Sequence, residues 1–323
     1  MAYLDSAYTN GVIAVREKYL LKEKLLRFCA LTAEESFRAL LDSGFGGGAE
    51  TTVNVYEYEK LLSADEKSLN SFIREYAPSY TEKAFLLSSR DFHNAKALVK
   101  AHFLGESPEK MLTEQGLVDV NTLSECVQKG DFSALAHTPY LQKACQDATL
   151  SLTENASGAK IGEIFEKNLY THLYVLVKNK RGLKKILVRK VDMTNILIAF
   201  RANGNEDNQE KYLPFGSLTA TDLQKLSDNE QAQAYFSKTP YAEFVKTCIL
   251  AKEKNLPFTQ AEKMLDGFEL DWYAQHKYEL KKHEPFLYYA YRRKTENANV
   301  RIVFACLLAG LNEQEIIKRL RAI

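Results

Sequence analysis

The 323-residue chain has few residues that interrupt helices, only 15 Gly and 7 Pro, and abundant Leu, Ala, Lys and Glu, so an all-α class is predicted. It lacks an excess charge of either sign: 43 Lys plus Arg face 42 Asp plus Glu, for a net charge of +1. That balance excludes a dedicated polyanion binder, and the 46% hydrophobic fraction excludes a disordered tail. Uncharged runs such as Phe132 to Gln142, Asn168 to Val177 and Ile302 to Leu311 are about half of the roughly 20 residues a spanning helix needs, so no transmembrane segment is expected. The opening MAYLDSAYTNGVIAVREK has an early Asp5 and no basic leader or apolar core, which predicts a cytosolic chain without a signal peptide. Five scattered cysteines (Cys29, Cys126, Cys145, Cys248, Cys306) form no C-x-x-C pair, which argues against a disulfide framework or zinc cage and for buried thiols. The six histidines (His93, His102, His137, His172, His276, His283) make no H-x-H or HExxH pattern, so neither a metal nor a cofactor is expected. GFGGG at 44–48 lacks the GK[ST] ending of a phosphate-binding loop and reads as a flexible loop tip.

What the sequence does contain is helical periodicity and repetition. Residues 17–41 place apolar side chains three and four apart, one buried helix face. VNVYEYEK (53–60) alternates like a strand but runs into helical spacing, and a helix is predicted there. A carboxylate followed three residues later by Asn opens an apolar run that ends at Gly, and it does so three times: Asp91 and Asn94 before Gly105, Asp192 and Asn195 before Gly204, Glu296 and Asn299 before Gly310. Thr138-Pro139-Tyr140 recurs as Thr239-Pro240-Tyr241, Gly116 as Gly216 and Leu123 as Leu223, with Ser43-Gly44-Phe45 a weaker first copy of the turn. Three units of about 100 residues follow: 1–113, 114–213 and 214–323.

Local signals mark the joins. Ser107 with Pro108 can open a helix, and Asn312 with Glu315 has capping-box spacing. Ala202 to Lys211 is polar and turn-rich and reads as an exposed loop.

Residues three apart share a helix face, so each carboxylate–Asn pair sets two polar groups beside an apolar stripe. A catalytic acid/base site is one reading. Three copies favour a structural device, with buried Asn94, Asn195 and Asn299 fixing how helices meet. The remaining candidates are cations. Lys178, Lys180, Arg181, Lys184, Lys185, Arg189 and Lys190 lie in thirteen residues without an acid, and Arg292, Arg293 and Lys294 precede the third signature. They read either as a solvated helix face or as docking points for an acidic protein surface or anionic headgroups. No nucleic-acid motif accompanies them.

ENANVRIVFACLLAGLNEQEIIKRLR (296–321), LLSSRDFHNAKALVKA (86–101) and VDMTNILIAF (191–200) resemble the C-subunit family of bacterial and archaeal V-type (A/V-type) ATPases, which is related to the d-subunit of eukaryotic V-ATPases. The resemblance covers essentially the whole chain. It implies a non-catalytic central-stalk rotor component whose three helical repeats form a funnel with pseudo-threefold symmetry. Such a component sits on the cytoplasmic face of the membrane proteolipid ring, receives the central shaft and passes torque between ATP turnover and ion transport. The basic segments would then help to seat it. A helical-repeat scaffold unrelated to rotary ATPases is the alternative.

Overall fold

The computed structural model describes residues 5–21, 23–48, 54–113, 116–154, 156–202, 210–275, 277–278 and 283–322. The described residues form helices and turns without a strand, and the chain is all-α. None of its described helices is long and apolar enough to cross a membrane. Packing divides the chain into two compact units, Met1–Lys83 with Asp266–Ile323, and Ala84–Leu265. This division follows which helices touch and does not track the repeat register.

The Ala84–Leu265 unit contains helix after helix with readable starts and stops. Asp119 caps Val120–Lys129, whose end is Gly130 at φ +65°. Pro139 opens Pro139–Thr153, and Ser157 caps Gly158–Leu176. The last two form a hairpin. Leu141, Ala144, Cys145 and Ala148, spaced three and four apart, share one core with Ile161 and Phe165. The second signature helix follows at Arg181–Ala202.

In the other unit, Thr32 and Glu35 close a capping box on Ala33–Asp42, and the alternating segment makes a 3₁₀ turn at Val55–Glu57 before its last three residues enter the helix Tyr58–Tyr76. The third signature helix, Glu284–Leu308, sends Phe304 into a core with Phe37, Leu40 and Leu62. There Phe304 meets Phe37 edge-on at 5.8 Å and stacks on Tyr58 at 5.6 Å. The Asn312–Glu315 capping box forms as its spacing predicts, and Glu313–Ile317 is the short helix it starts.

Two local expectations change, and a third lies mostly outside the described residues. Ser107-Pro108 introduces only a single 3₁₀ turn, Glu109–Met111, because the chain turns extended at Leu112. The GFGGG segment is no loose tip at its start: Phe45 is buried in the core, and Gly46 at φ +77° lies so close to Leu61 that a Cβ would meet its Cδ1 at 2.3 Å. Residues 203–209 of the polar stretch lie outside the described residues.

All five cysteines are buried. Burial pushes the Cys29 thiol up to about 11 and those of Cys145 and Cys248 up to about 12. A thiol reagent at neutral pH is therefore expected to label none of the five in the native chain and all five in denaturant. Rapid native labelling of any one would show that its helix opens readily.

Candidate functional site

The repeated carboxylate–Asn pair proves to be a clasp on the backbone downstream of its helix. In the first copy, on Tyr80–Leu104, Asn94 exchanges two bonds with Thr113: its Oδ1 accepts the Thr113 N–H at 2.9 Å and its Nδ2 donates to the Thr113 carbonyl at 3.2 Å. Asp91 accepts the N–H groups of Leu117 at 2.8 Å and Val118 at 3.0 Å. The second copy repeats this bond for bond. Asn195 exchanges two bonds with Leu213, at 2.8 and 3.0 Å. Asp192 accepts from the N–H groups of Ser217 at 2.7 Å and Leu218 at 3.0 Å. Ser217 Oγ and Tyr241 Oη also donate to Asp192, at 2.5 and 2.6 Å, and burial with this bond raises the Tyr241 phenol.

The recurrent glycines are explained by the same clasp. A Cβ on Gly116 would stand 2.4 Å from Asp91 Oδ1, and one on Gly216 would stand 2.5 Å from Asp192 Oδ1. Only glycine lets the backbone reach the carboxylate this closely. A new helix begins directly after each held loop, capped by Asp119 or Thr219, so the clasp sets where that helix starts. The basic position six residues past Asn94 and Asn195 is shared by these two copies, whereas the third has Ala305. Lys100 donates to the carbonyl of Gly158, the first residue of its helix, and Arg201 pairs with Glu262 in the first turn of Thr259–Ala274.

The third copy diverges. Asn299 accepts the Arg321 N–H at 2.8 Å, while Glu296 turns to Arg292, whose Nε lies 3.1 Å away. Arg293 bonds Asp65 and donates to the Tyr19 carbonyl at 3.1 Å, with its guanidinium 5.1 Å from the Phe45 ring centroid. Asn297 adds a bond to the Leu62 carbonyl. Arg292, Arg293, Asp65 and Glu296 are all buried. The two arginines expected at a docking surface are thus internal ties, because each carries a carboxylate partner within the same unit.

Asn94, Asn195 and Asn299 are buried, as are Asp91, Asp192 and Glu296, which fits the structural reading of the motif. Among the described residues no group of His, Cys, Asp and Glu is placed to hold a metal.

His172 was not singled out by the sequence. It sits part-buried with Ser88 Oγ 3.1 Å away and the Phe92 ring centroid at 5.8 Å, and burial lowers its pKa. A histidine kept neutral in the fold but free to protonate when unfolded adds stability above its unfolded value of about 6.5. That stability is lost as pH falls from there toward the lower folded value. His172→Gln is expected to flatten the decline in melting temperature on the acid side of pH 6.5; an unchanged pH profile would count against the burial effect.

The basic stretch divides by environment. Lys178, Arg181 and Lys185 are exposed, and Lys180, Lys184, Arg189 and Lys190 are half-buried. Lys184 Nζ sits 4.9 Å from the Tyr174 ring centroid, and Arg189 donates to the Pro240 carbonyl at 3.0 Å. Lys294 lies beside Tyr291, 5.7 Å from its ring centroid.

These features define a class: an all-α protein whose recurrent carboxylate–Asn motif holds downstream backbone in its first two copies. The family model described as ATP synthase (C/AC39) subunit matches residues 9–319, and the chain belongs to that family, a component of A/V-type ATP synthases. No individual curated protein matches the chain.

Proposed function

We propose that this chain is a non-catalytic central-stalk component, a socket between the rotary shaft and the membrane proteolipid ring that passes torque from one to the other. The family match over residues 9–319 carries the reading. Its construction suits the role. Clasps at Asp91 and Asp192 pin each signature helix to the backbone that follows it, the buried ion pair at Arg293 ties segments 228 residues apart, and interiors packed to crystal-like density transmit strain with little compression. The three sequence repeats, 1–113, 114–213 and 214–323, would supply related helical bodies for this load path. The protein would be peripheral, on the cytoplasmic face of the membrane.

The test is a pull-down of the full chain with shaft proteins and with detergent-solubilised ring. Retention of both, and co-rotation of a fluorescent label on this chain with the shaft during ATP turnover, is the expected result. Failure to bind either one overturns the reading.

A further inference from the structure

We propose that the corner between the Gly158–Leu176 helix and the Arg181–Ala202 helix docks on the anionic headgroups of a lipid bilayer. The patch is continuous. Lys184 lies over one ring, Tyr174, and Phe215 stacks on that same ring at 4.2 Å with planes 12° apart. Arg181 and Lys184 are three apart on one helix and share a face, and Lys178 lies in the turn that joins the two helices. Among the described residues, Lys178, Arg181 and Lys184 have no carboxylate partner, in contrast to Lys129, Lys143 and Lys160 of the same unit, which pair with Glu125, Asp147 and Glu163.

Two features of this corner work against stability. The first turn of the Arg181–Ala202 helix carries cations and no acid, the unfavourable sign for a helix start. Phe215 follows Pro214 in a turn at φ +69°, a position that favours glycine and that a bulky side chain occupies only at a cost. Yet Phe215 is 40% exposed, and Val175 beside Tyr174 is 49% exposed. An aromatic ring held out to solvent through a strained backbone, next to unpaired cations, is the mixture that suits a membrane interface. There rings lie at headgroup level while Lys and Arg meet phosphates. An acidic protein surface would reward the cations and leave Phe215 and Val175 facing charge.

Choosing a bilayer as the occupant rests on the membrane-adjacent placement proposed above, but the test contains neither ring nor shaft, so the two can fail separately. The full-length protein is floated with vesicles of phosphatidylcholine alone and with vesicles containing about one third phosphatidylglycerol. It should partition onto the anionic vesicles only, and less so as salt rises. The triple variant Lys178→Glu, Arg181→Glu, Lys184→Glu should lose at least about a hundredfold in partitioning, since each neutralised cation near such a surface accounts for about fivefold. Phe215→Gly, which relieves the backbone while removing the ring, should weaken partitioning severalfold and leave its salt dependence intact. Lys129→Glu with Lys143→Glu, a charge reversal elsewhere in the unit, should bind like the parent, and circular dichroism verifies that each variant is folded. The proposal is overturned if the parent ignores anionic vesicles, including the case where it binds an acidic protein instead. It is equally overturned if the folded triple variant partitions like the parent, or if the control pair loses as much as the triple variant.

Discussion

Replacing Arg293 with Ala will destabilise the protein by about 3–5 kcal/mol. Arg293 is bonded to Asp65, and it also lies 3.8 Å from Glu296 Oε2. Removing it leaves two carboxylates in the interior with far less positive charge to offset them. Burial already raises the Asp65 carboxyl against the pull of Arg293, so once the guanidinium is gone that carboxyl will take up a proton well above the ordinary carboxylate range. Two further ties go with it, the bond to the Tyr19 carbonyl and the contact with the Phe45 ring. The comparison that isolates the mechanism is Arg293→Met with Asp65→Leu. Replacing both charges by apolar groups removes the uncompensated carboxylate, and the pair should recover most of the loss. Urea unfolding followed by circular dichroism measures both; a double variant as unstable as Arg293→Ala would mean that the loss comes from packing rather than from charge.

Asp192→Ala is expected to cost about 3–5 kcal/mol as well, by a different route. Its carboxylate accepts four hydrogen bonds, two of them from the backbone of Ser217 and Leu218. The hydroxyls of Ser217 and Tyr241 can turn elsewhere, but the two N–H groups cannot, and each donor stranded in a buried site costs about 1–3 kcal/mol. The loop that starts the next helix should loosen with it, so amide exchange at Ser217 and Leu218 should accelerate beyond the global effect. A matched pair of glycine substitutions checks the geometry. Gly216→Ala drives a Cβ to within 2.5 Å of Asp192 Oδ1 and should destabilise by about 1–3 kcal/mol. Gly162→Ala, in the second turn of Gly158–Leu176 with nothing within 4 Å of the added Cβ, should stabilise by about 0.5–1 kcal/mol. Equal effects at the two glycines would refute the close-approach account of Gly216.

The clasp was half legible beforehand. Three carboxylate–Asn spacings and the paired Gly116 and Gly216 could be counted in the sequence, but not that the glycine of one segment meets the carboxylate of another. The same gap explains Arg292 and Arg293. A run of cations next to a helix looks like surface until its acids are found, and Asp65 lies 228 residues from Arg293. Phe215 and Tyr174 drew no notice because a Pro-Phe-Gly turn is ordinary as a string. Its positive φ and the stack that compensates it exist only in three dimensions.

By itself, then, the sequence determined the helical class, the helix start at Asn312, the recurrence of the motif and the resemblance that leads to the family. Capping and periodicity act over three or four residues, so they can be read from the string. Tertiary structure alone decided which carboxylate holds which amide, which cations are neutralised inside and which stay in solvent at Lys178 and Arg181. Those outcomes depend on where distant segments are brought together, because a buried charge or amide persists only where the fold delivers its partner to within hydrogen-bonding distance.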